Sequence, residues 1–235
     1  QEGLLDCSLF ITKKNNPFII FYMDAPAIRE ELREMCRRIS KQGYNVILPN
    51  LFYRHGTESN YPFDQNSYKK DKSELNKMIA TMNSTTNAMV IRDTNVIIKY
   101  LDSTFNNGNI GIVGYCMSGR LVMSAAANFN HKIKATASFY GVDLVTENKD
   151  SPHLHASMIK GEVYLAFAEK DYWVPKKSLD ILISIFSKLK LKSEIEIYKG
   201  TDHGFAFPDR GTYNQKAADK HWKKLFSLFD RNLKK

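Results

Sequence analysis

The residues best suited to chemistry stand in one short stretch, residues 110–119. Its first part, residues 110–113, is apolar and reads as a buried strand, and residues 114–119 then read Gly-Tyr-Cys-Met-Ser-Gly. A potential nucleophile, Cys116, is thus flanked by small residues where a strand gives way to a helix, the pattern of a nucleophile elbow. Such a turn lifts the reactive atom above the sheet and directs the backbone N–H of the next residue, Met117, toward a developing oxyanion. The stretch predicts acyl transfer by a thiolate.

A buried structural cysteine is the alternative interpretation of Cys116, because free cysteines are among the most buried residues. The chain has three cysteines, Cys7, Cys36 and Cys116, which are far apart and odd in number. This count argues against a disulfide framework and for a reducing compartment, so we expect a cytoplasmic protein. A thiol-redox function is disfavoured because Cys116 has no second cysteine near it in sequence.

An acid and a histidine that complete a catalytic triad follow the elbow in the required order. Asp171 comes just after an apolar, strand-like segment. It therefore lies at the carboxyl end of a predicted strand, where open α/β sheets have their binding and catalytic sites. His203 lies between the last predicted strand and the last predicted helix. Asp171 is 55 residues after Cys116 and His203 is 32 residues after Asp171, spacings that suit about one strand–helix passage each. We therefore expect a Cys116–His203–Asp171 triad.

Other acids and histidines compete for these roles. Glu169 could be the triad acid but lies nearer the strand end, and Asp202 adjoins His203, where a carboxylate is usually unable to orient the ring. The remaining histidines are interpreted as surface, packing or loop residues, including an H-x-H pair without a visible third ligand, so we expect no metal: His55, His131, His221, and the pair His153 and His155.

Strand-like and helix-like segments alternate along the chain, which predicts a three-layer α/β sandwich with a mostly parallel sheet. We expect an edge strand or hairpin in residues 1–16, and a loop over one end of the sheet at residues 51–66. The predicted strands are residues 17–22, 44–49, 110–113, 133–140, 162–168 and 194–198. The predicted helices cover residues 28–39, 68–82, 89–101, 121–126, 179–189 and 218–233. Without a repeat or linker, residues 1–235 are expected to form a single domain.

The chain carries a formal net charge of +9 and 43% hydrophobic residues. Its lysines are scattered rather than clustered, and it has no nucleic-acid-binding signature, so we expect no nucleic-acid partner. No apolar run reaches the length of a membrane span, and the first residues show no secretory signal, so we expect no membrane association. The positive charge is compatible with steering of small anions toward the protein.

The chain resembles the dienelactone hydrolase family of α/β-hydrolases. Residues 114–119 resemble the family's G-Y-C-x-G-G elbow, and Asp171 and the His203-Gly204-Phe205 segment resemble its other two triad segments. Residues 43–52 resemble its G-Y-x-x-x-x-P-D-L-Y segment, with Asn50 in place of Asp. The likeness runs from about residue 17 to the terminal helix. It implies the α/β-hydrolase fold without a large cap domain.

The resemblance also implies roles for residues outside the triad. The family's E-x-x-G segment, whose Glu takes part in thiol activation, reads Asp24-Ala25-Pro26-Ala27 here, so Asp24 takes that place one methylene shorter. The backbone N–H of Ala25 is the expected second oxyanion donor beside that of Met117, since Pro26 has none. Phe207 stands where the family's dienelactone enzymes have an Arg that holds the substrate carboxylate. Replacements considered for that Arg are Arg54, His55 and Arg210.

These features together predict a cytoplasmic hydrolase of a small, possibly anionic ester or lactone, similar to carboxymethylenebutenolidase. It would act through a thioacyl-enzyme and need no cofactor. The alternative, supported by Ser118, Asp24 and Phe207 at variant positions, is a non-hydrolytic protein of the same fold that binds or senses a small molecule.

Overall fold

The computed structural model describes residues 3–60, 63, 72–106 and 108–234. These residues form a seven-stranded sheet in the order β1-β3-β2-β4-β5-β6-β7, in which β1 runs antiparallel at one edge and the other strands are parallel. The strands are β1 (Cys7–Phe10), β2 (Phe18–Tyr22), β3 (Asn45–Pro49), β4 (Ile110–Tyr115), β5 (Ile133–Phe139), β6 (Glu162–Lys170) and β7 (Ser193–Asp202). Because β2, β3 and β4 are buried along their whole length, they read as continuous apolar runs.

Six α-helices and two 3-10 turns, at Glu58–Asn60 and Pro152–Met158, lie within the described residues. The helices are α1 (Glu30–Ser40), α2 (Lys72–Ser84), α3 (Asn87–Phe105), α4 (Ser118–Asn128), α5 (Lys176–Phe186) and α6 (Gln215–Leu233). No helix among them is both long enough and apolar enough to cross a membrane.

Two glycines of β4 let helices approach both faces of the sheet. A Cβ at Gly111 would lie 2.9 Å from Leu233 and 3.0 Å from Phe229 of α6, whereas a Cβ at Gly114 would lie 2.6 Å from the Ser118 carbonyl oxygen of α4. Residues three apart in a strand point to opposite faces, so α6 and α4 cover opposite sides of β4. The close packing of α4 on β4 places the start of that helix directly beside the strand end.

The fold agrees with the predicted three-layer α/β-hydrolase architecture, and no large cap domain is present in the described residues. The predicted edge strand is β1, and the predicted helix at residues 68–82 is α2, although residues 68–71 lie outside the described residues. The same holds for residues 61, 62 and 64–66 of the predicted loop. The 3-10 turn at Pro152–Met158 was not predicted.

Candidate active site

Cys116 occupies a sharp turn between β4 and α4. Its φ angle is +54°, in the left-handed region that costs a non-glycine residue on the order of 1–3 kcal/mol. Three backbone hydrogen bonds hold the turn: its N–H donates to Phe139 O (3.1 Å), and its carbonyl oxygen accepts from Gly119 N and Val142 N (both 3.0 Å). A side chain at Gly119 is excluded, since its Cβ would come within 2.3 Å of Gly141 Cα. The turn therefore has the strained, closely packed geometry expected of a nucleophile elbow.

Two backbone N–H groups near the turn are free to bind a ligand oxygen. Within the described residues, neither the N–H of Met117, which follows Cys116, nor that of Ala25 donates a hydrogen bond. Both residues are buried, and Ala25 lines the same cavity as Cys116.

His203 and Asp171 are hydrogen-bonded to each other. The Nδ1–H of His203 donates to Asp171 Oδ2 at 2.8 Å and to Oδ1 at 3.0 Å, while the backbone N–H of Trp173 donates to Oδ1 at 3.0 Å. The second ring nitrogen, Nε2, is buried and has no hydrogen-bond partner in the described structure. Glu169, the competing acid, instead accepts a hydrogen bond from Gly200 N at 2.9 Å. The structure thus brings Asp171, not Glu169, to the histidine.

The charge state of His203 depends on its neighbours. Burial disfavours the imidazolium, but the Cys116 sulfur and the Asp171 carboxylate outweigh burial and raise the pKa of His203 to about 9. A pKa in this range favours the imidazolium form of His203 at neutral pH.

Cys116 and His203 line one cavity of about 210 Å³. Its polar lining in the described residues is limited to Cys116, His203 and Arg210; the remaining lining residues are Ala25, Pro26, Leu75, Met78, Ile79, Met82, Val142 and Trp173. The volume falls below the usual range of about 300–1,000 Å³ for sites of drug-sized ligands, so the cavity suits a small molecule.

Asp24 is fully buried and paired with two guanidinium groups. Its Oδ1 accepts from Arg29 Nη1 at 2.6 Å, and its Oδ2 accepts from Arg210 Nη2. Burial alone would raise the pKa of Asp24, but the two arginines hold it below its ordinary value. No hydrogen bond joins Asp24 to Cys116 in the described structure, so here Asp24 anchors Arg210 at the cavity.

Arg210 is the predicted substrate-binding residue that reaches the cavity. Its Nη2 is bound to Asp24, whereas its buried Nε has no hydrogen-bond partner in the part of the chain described. A buried N–H donor on a cationic group is costly to leave unpaired.

The other three predicted substrate-binding residues do not line the cavity. Arg54 forms a two-point ion pair with Asp93, with both N–O distances 2.8 Å, and His55 Nε2 lies 2.8 Å from Ser84 Oγ. Phe207 is fully buried, with the guanidinium carbons of Arg29 and Arg210 5.1 and 5.2 Å from its ring centre. Within the described residues, Arg54, His55 and Phe207 therefore lie outside the lining of the cavity that contains Cys116 and His203.

Several residues near the site were missed from sequence. Leu75, Met78, Ile79 and Met82 recur at helical spacing in the sequence, which predicts a helix but does not indicate that its apolar face lines the cavity. Ser118 Oγ donates to Met23 O, and Arg120 Nη2 donates to Thr85 O at 2.8 Å; both partners are distant in sequence, so no local pattern predicts these bonds.

The comparisons with known proteins agree on one family. The sequence model of the dienelactone hydrolase family matches residues 5–233. A "putative carboxymethylenebutenolidase" of Synechocystis sp. is 26% identical over 223 residues, covering 93% of this chain and 87% of that protein. Another of the same name from Saccharolobus solfataricus is 26% identical over 249 residues, covering 94% and 93%.

A solved structure supports the same fold. The crystal structure of a "putative dienelactone hydrolase" from Klebsiella pneumoniae subsp. pneumoniae superposes with a TM-score of 0.80 and 22% identity, covering 97% of this chain and 93% of that one. At this identity the likeness concerns the fold.

Proposed function

Since the chain belongs to the dienelactone hydrolase family, we propose that it is a hydrolase that cleaves a small ester or lactone through a Cys116–His203–Asp171 triad. The observation that carries the proposal is the left-handed turn at Cys116, which shares one cavity with His203 while Asp171 holds the far side of that imidazole. An inert buried cysteine would need neither the strained turn nor the ordered histidine.

Acylation begins from the thiolate of Cys116 beside the protonated His203. The sulfur attacks the carbonyl carbon and forms a C–S bond while the carbonyl electron pair moves to oxygen, where the N–H groups of Met117 and Ala25 donate to the oxyanion. Collapse of this intermediate breaks the ester C–O bond, and the leaving alkoxide takes the proton from His203 Nε2. The products are an alcohol and a thioacyl-enzyme. A lactone follows the same path with the alcohol still attached to the acyl group.

Deacylation restores the resting site. Neutral His203 removes a proton from water through Nε2 as the hydroxide attacks the thioester carbonyl, and the C–S bond breaks to release the carboxylic acid. The sulfur leaves as thiolate and His203 is again protonated. Throughout, Asp171 fixes the ring orientation and stabilises the imidazolium, without itself taking the proton.

The substrate is proposed to be anionic because Arg210 supplies a guanidinium to the cavity. Its unpaired Nε–H is able to donate to a substrate carboxylate while Nη2 stays bound to Asp24. Arg210 would thus take the role of the Arg that the family's dienelactone enzymes have at the position of Phe207, three residues earlier. All three cysteines are free, which supports the proposed cytoplasmic location.

The non-hydrolytic alternative is not favoured by the site geometry. A protein that only binds its ligand has no need for the Nδ1 hydrogen bonds to Asp171 or the unpaired Nε2 in the cavity. The variant position Ser118, which had supported that alternative, is accommodated by a hydrogen bond from its hydroxyl to the Met23 carbonyl oxygen, just after β2.

Turnover of activated and alkyl esters by triad variants tests the proposal. Cys116→Ala and His203→Ala should abolish turnover, and Asp171→Asn should lower kcat by about 10⁴-fold because it leaves the imidazole in the wrong tautomer. Glu169→Gln is the matched control and should retain near-parent activity. Thermal unfolding of each variant checks that the fold persists. Full activity of Cys116→Ala, or loss only in Glu169→Gln, would refute the assignment.

A further inference from the structure

The helix α2 contributes a continuous apolar stripe to the cavity above Cys116. Leu75, Met78, Ile79 and Met82 follow the spacing i, i+3, i+4, i+7, which places them on one helix face, and all four line the cavity. Met78 is buried and the other three are partly buried against the core. The stripe thus faces the reactive sulfur.

The cavity has two chemically different parts. Its positive charge comes from Arg210 and His203, whereas α2 supplies only apolar side chains, joined by Val142 and Trp173. A substrate that satisfies both parts carries an apolar group as well as a polar one. Two of the four α2 side chains are methionines, whose flexible thioethers adapt to ligands of different shape.

A buried arginine ties this wall to the nucleophile. Arg120 belongs to α4, the helix that begins just after Cys116, and its Nη2 donates to Thr85 O at 2.8 Å and to Met82 O at 3.3 Å. Its Nη1 donates to Asn87 Oδ1 at 2.7 Å. These bonds satisfy carbonyl groups at the carboxyl end of α2 and fix that end relative to the elbow.

We propose that the α2 stripe is an acyl-chain subsite, and that the substrate's acyl group contains a short aliphatic chain. The inference rests on the proposed function: while the acyl group is bonded to Cys116 Sγ, the cavity must accommodate it, whereas the alcohol of an open-chain ester has already left. The 210 Å³ volume sets an upper limit on chain length.

A series of p-nitrophenyl esters with acetyl, butyryl, hexanoyl, octanoyl and decanoyl groups tests the proposal. In the parent, kcat/KM should rise about fourfold per added methylene, as expected for burial of a CH₂ group, and then fall once the cavity is full. Ile79→Phe should move the optimum to a shorter chain, and Met78→Ala should move it to a longer one. Asn76→Ala, at an exposed position of the same helix, is the control and should leave the series unchanged.

The outcomes separate this inference from the proposed function. If Cys116→Ala abolishes turnover but the parent shows no acyl-length dependence, the subsite is overturned and the hydrolase stands. The subsite is also overturned if rates follow the length of the alcohol in a matched series of alkyl esters. Absence of any turnover by the parent would overturn both. Should Met78→Ala unfold, Ile79→Phe, which adds volume at a partly exposed position, still decides the matter.

Discussion

The hydroxyl of Ser118 donates a hydrogen bond to the carbonyl oxygen of Met23, and both residues are fully buried. Ser118 is the first residue of α4, two positions after the nucleophile, and Met23 stands two positions before Ala25. The bond therefore joins the two segments that supply the proposed oxyanion donors. A glycine, as found at this position in the family motif, has no side chain to make it.

Ser118→Ala should reduce kcat about tenfold at nearly constant KM, because a displaced oxyanion donor weakens binding of the transition state more than that of the substrate. The free energy of unfolding should fall by about 1–2 kcal/mol, since the Met23 carbonyl loses its partner. The matched control is Ser124→Ala in the same helix, where the hydroxyl donates to Arg120 O at 2.9 Å. Equal effects on kcat in the two variants would show that Ser118 acts only on stability.

The pKa of His203, raised to about 9, should be seen both in a titration of its imidazole and in the pH dependence of kcat/KM. Raising the pH through 9 removes the proton that the leaving alkoxide needs, so kcat/KM for an alkyl ester should decline on the alkaline side with an apparent pKa near 9. In Cys116→Ala the pKa of His203 should drop, because the sulfur is the largest of the influences that raise it. NMR titration of the imidazole measures this, and an unchanged value would argue against an ion pair.

Brief iodoacetamide treatment at neutral pH should label Cys116 first. Cys36 is fully buried, and burial raises its pKa well above the ordinary value; burial and the nearby Asp6 raise the pKa of Cys7 to about 12. Both therefore remain thiols, which react slowly. Peptide mass spectrometry locates the label, with His203→Ala as a comparison that should slow labelling of Cys116. Faster modification of Cys7 or Cys36 would contradict the assigned nucleophile.

Arg210→Gln should lower kcat/KM for an ester that bears a carboxylate by about 10–100-fold, the usual value of a hydrogen bond to a charged group. Matched neutral esters should change much less. Arg54→Gln is the control, because the Arg54 guanidinium is paired with Asp93 and does not line the cavity. Thermal unfolding of both variants is measured as well, because each substitution breaks a buried ion pair. An equal loss for charged and neutral esters would remove Arg210 from substrate recognition.

The positions of the three proposed triad residues could be predicted from sequence because each of them follows a strand end. Cys116 comes after β4, Asp171 after β6 and His203 after β7, and parallel strands bring their carboxyl ends to one edge of the sheet. Local motifs together with a parallel sheet therefore suffice to bring Asp171 and His203 to within hydrogen-bond distance.

The placement of the candidate substrate-binding residues was harder to predict because it depends on packing between distant segments. Phe207 occupies the family's arginine position in sequence, but its ring is drawn into an aromatic cluster with Tyr115, 5.1 Å between ring centres, and Tyr140. The chain then turns, with Arg210 N bonded to Phe207 O, and Arg210 reaches Asp24, 186 residues away in sequence. No periodicity in the sequence encodes that ion pair.

The separation of α2 from the catalytic residues has an evolutionary consequence. The proposed triad residues lie in loops after β4, β6 and β7, whereas four residues of the cavity's apolar lining come from the single helix α2, in which Met78 is the buried residue. Substitutions of the cavity-facing side chains of that helix leave the loops with the proposed triad unchanged in sequence, and the bonds from Arg120 to α2 go to backbone carbonyl oxygens, which such substitutions keep. Transplanting residues 72–84 from another family member offers a direct way to exchange substrate range between enzymes, and natural divergence in this lineage is open to the same route.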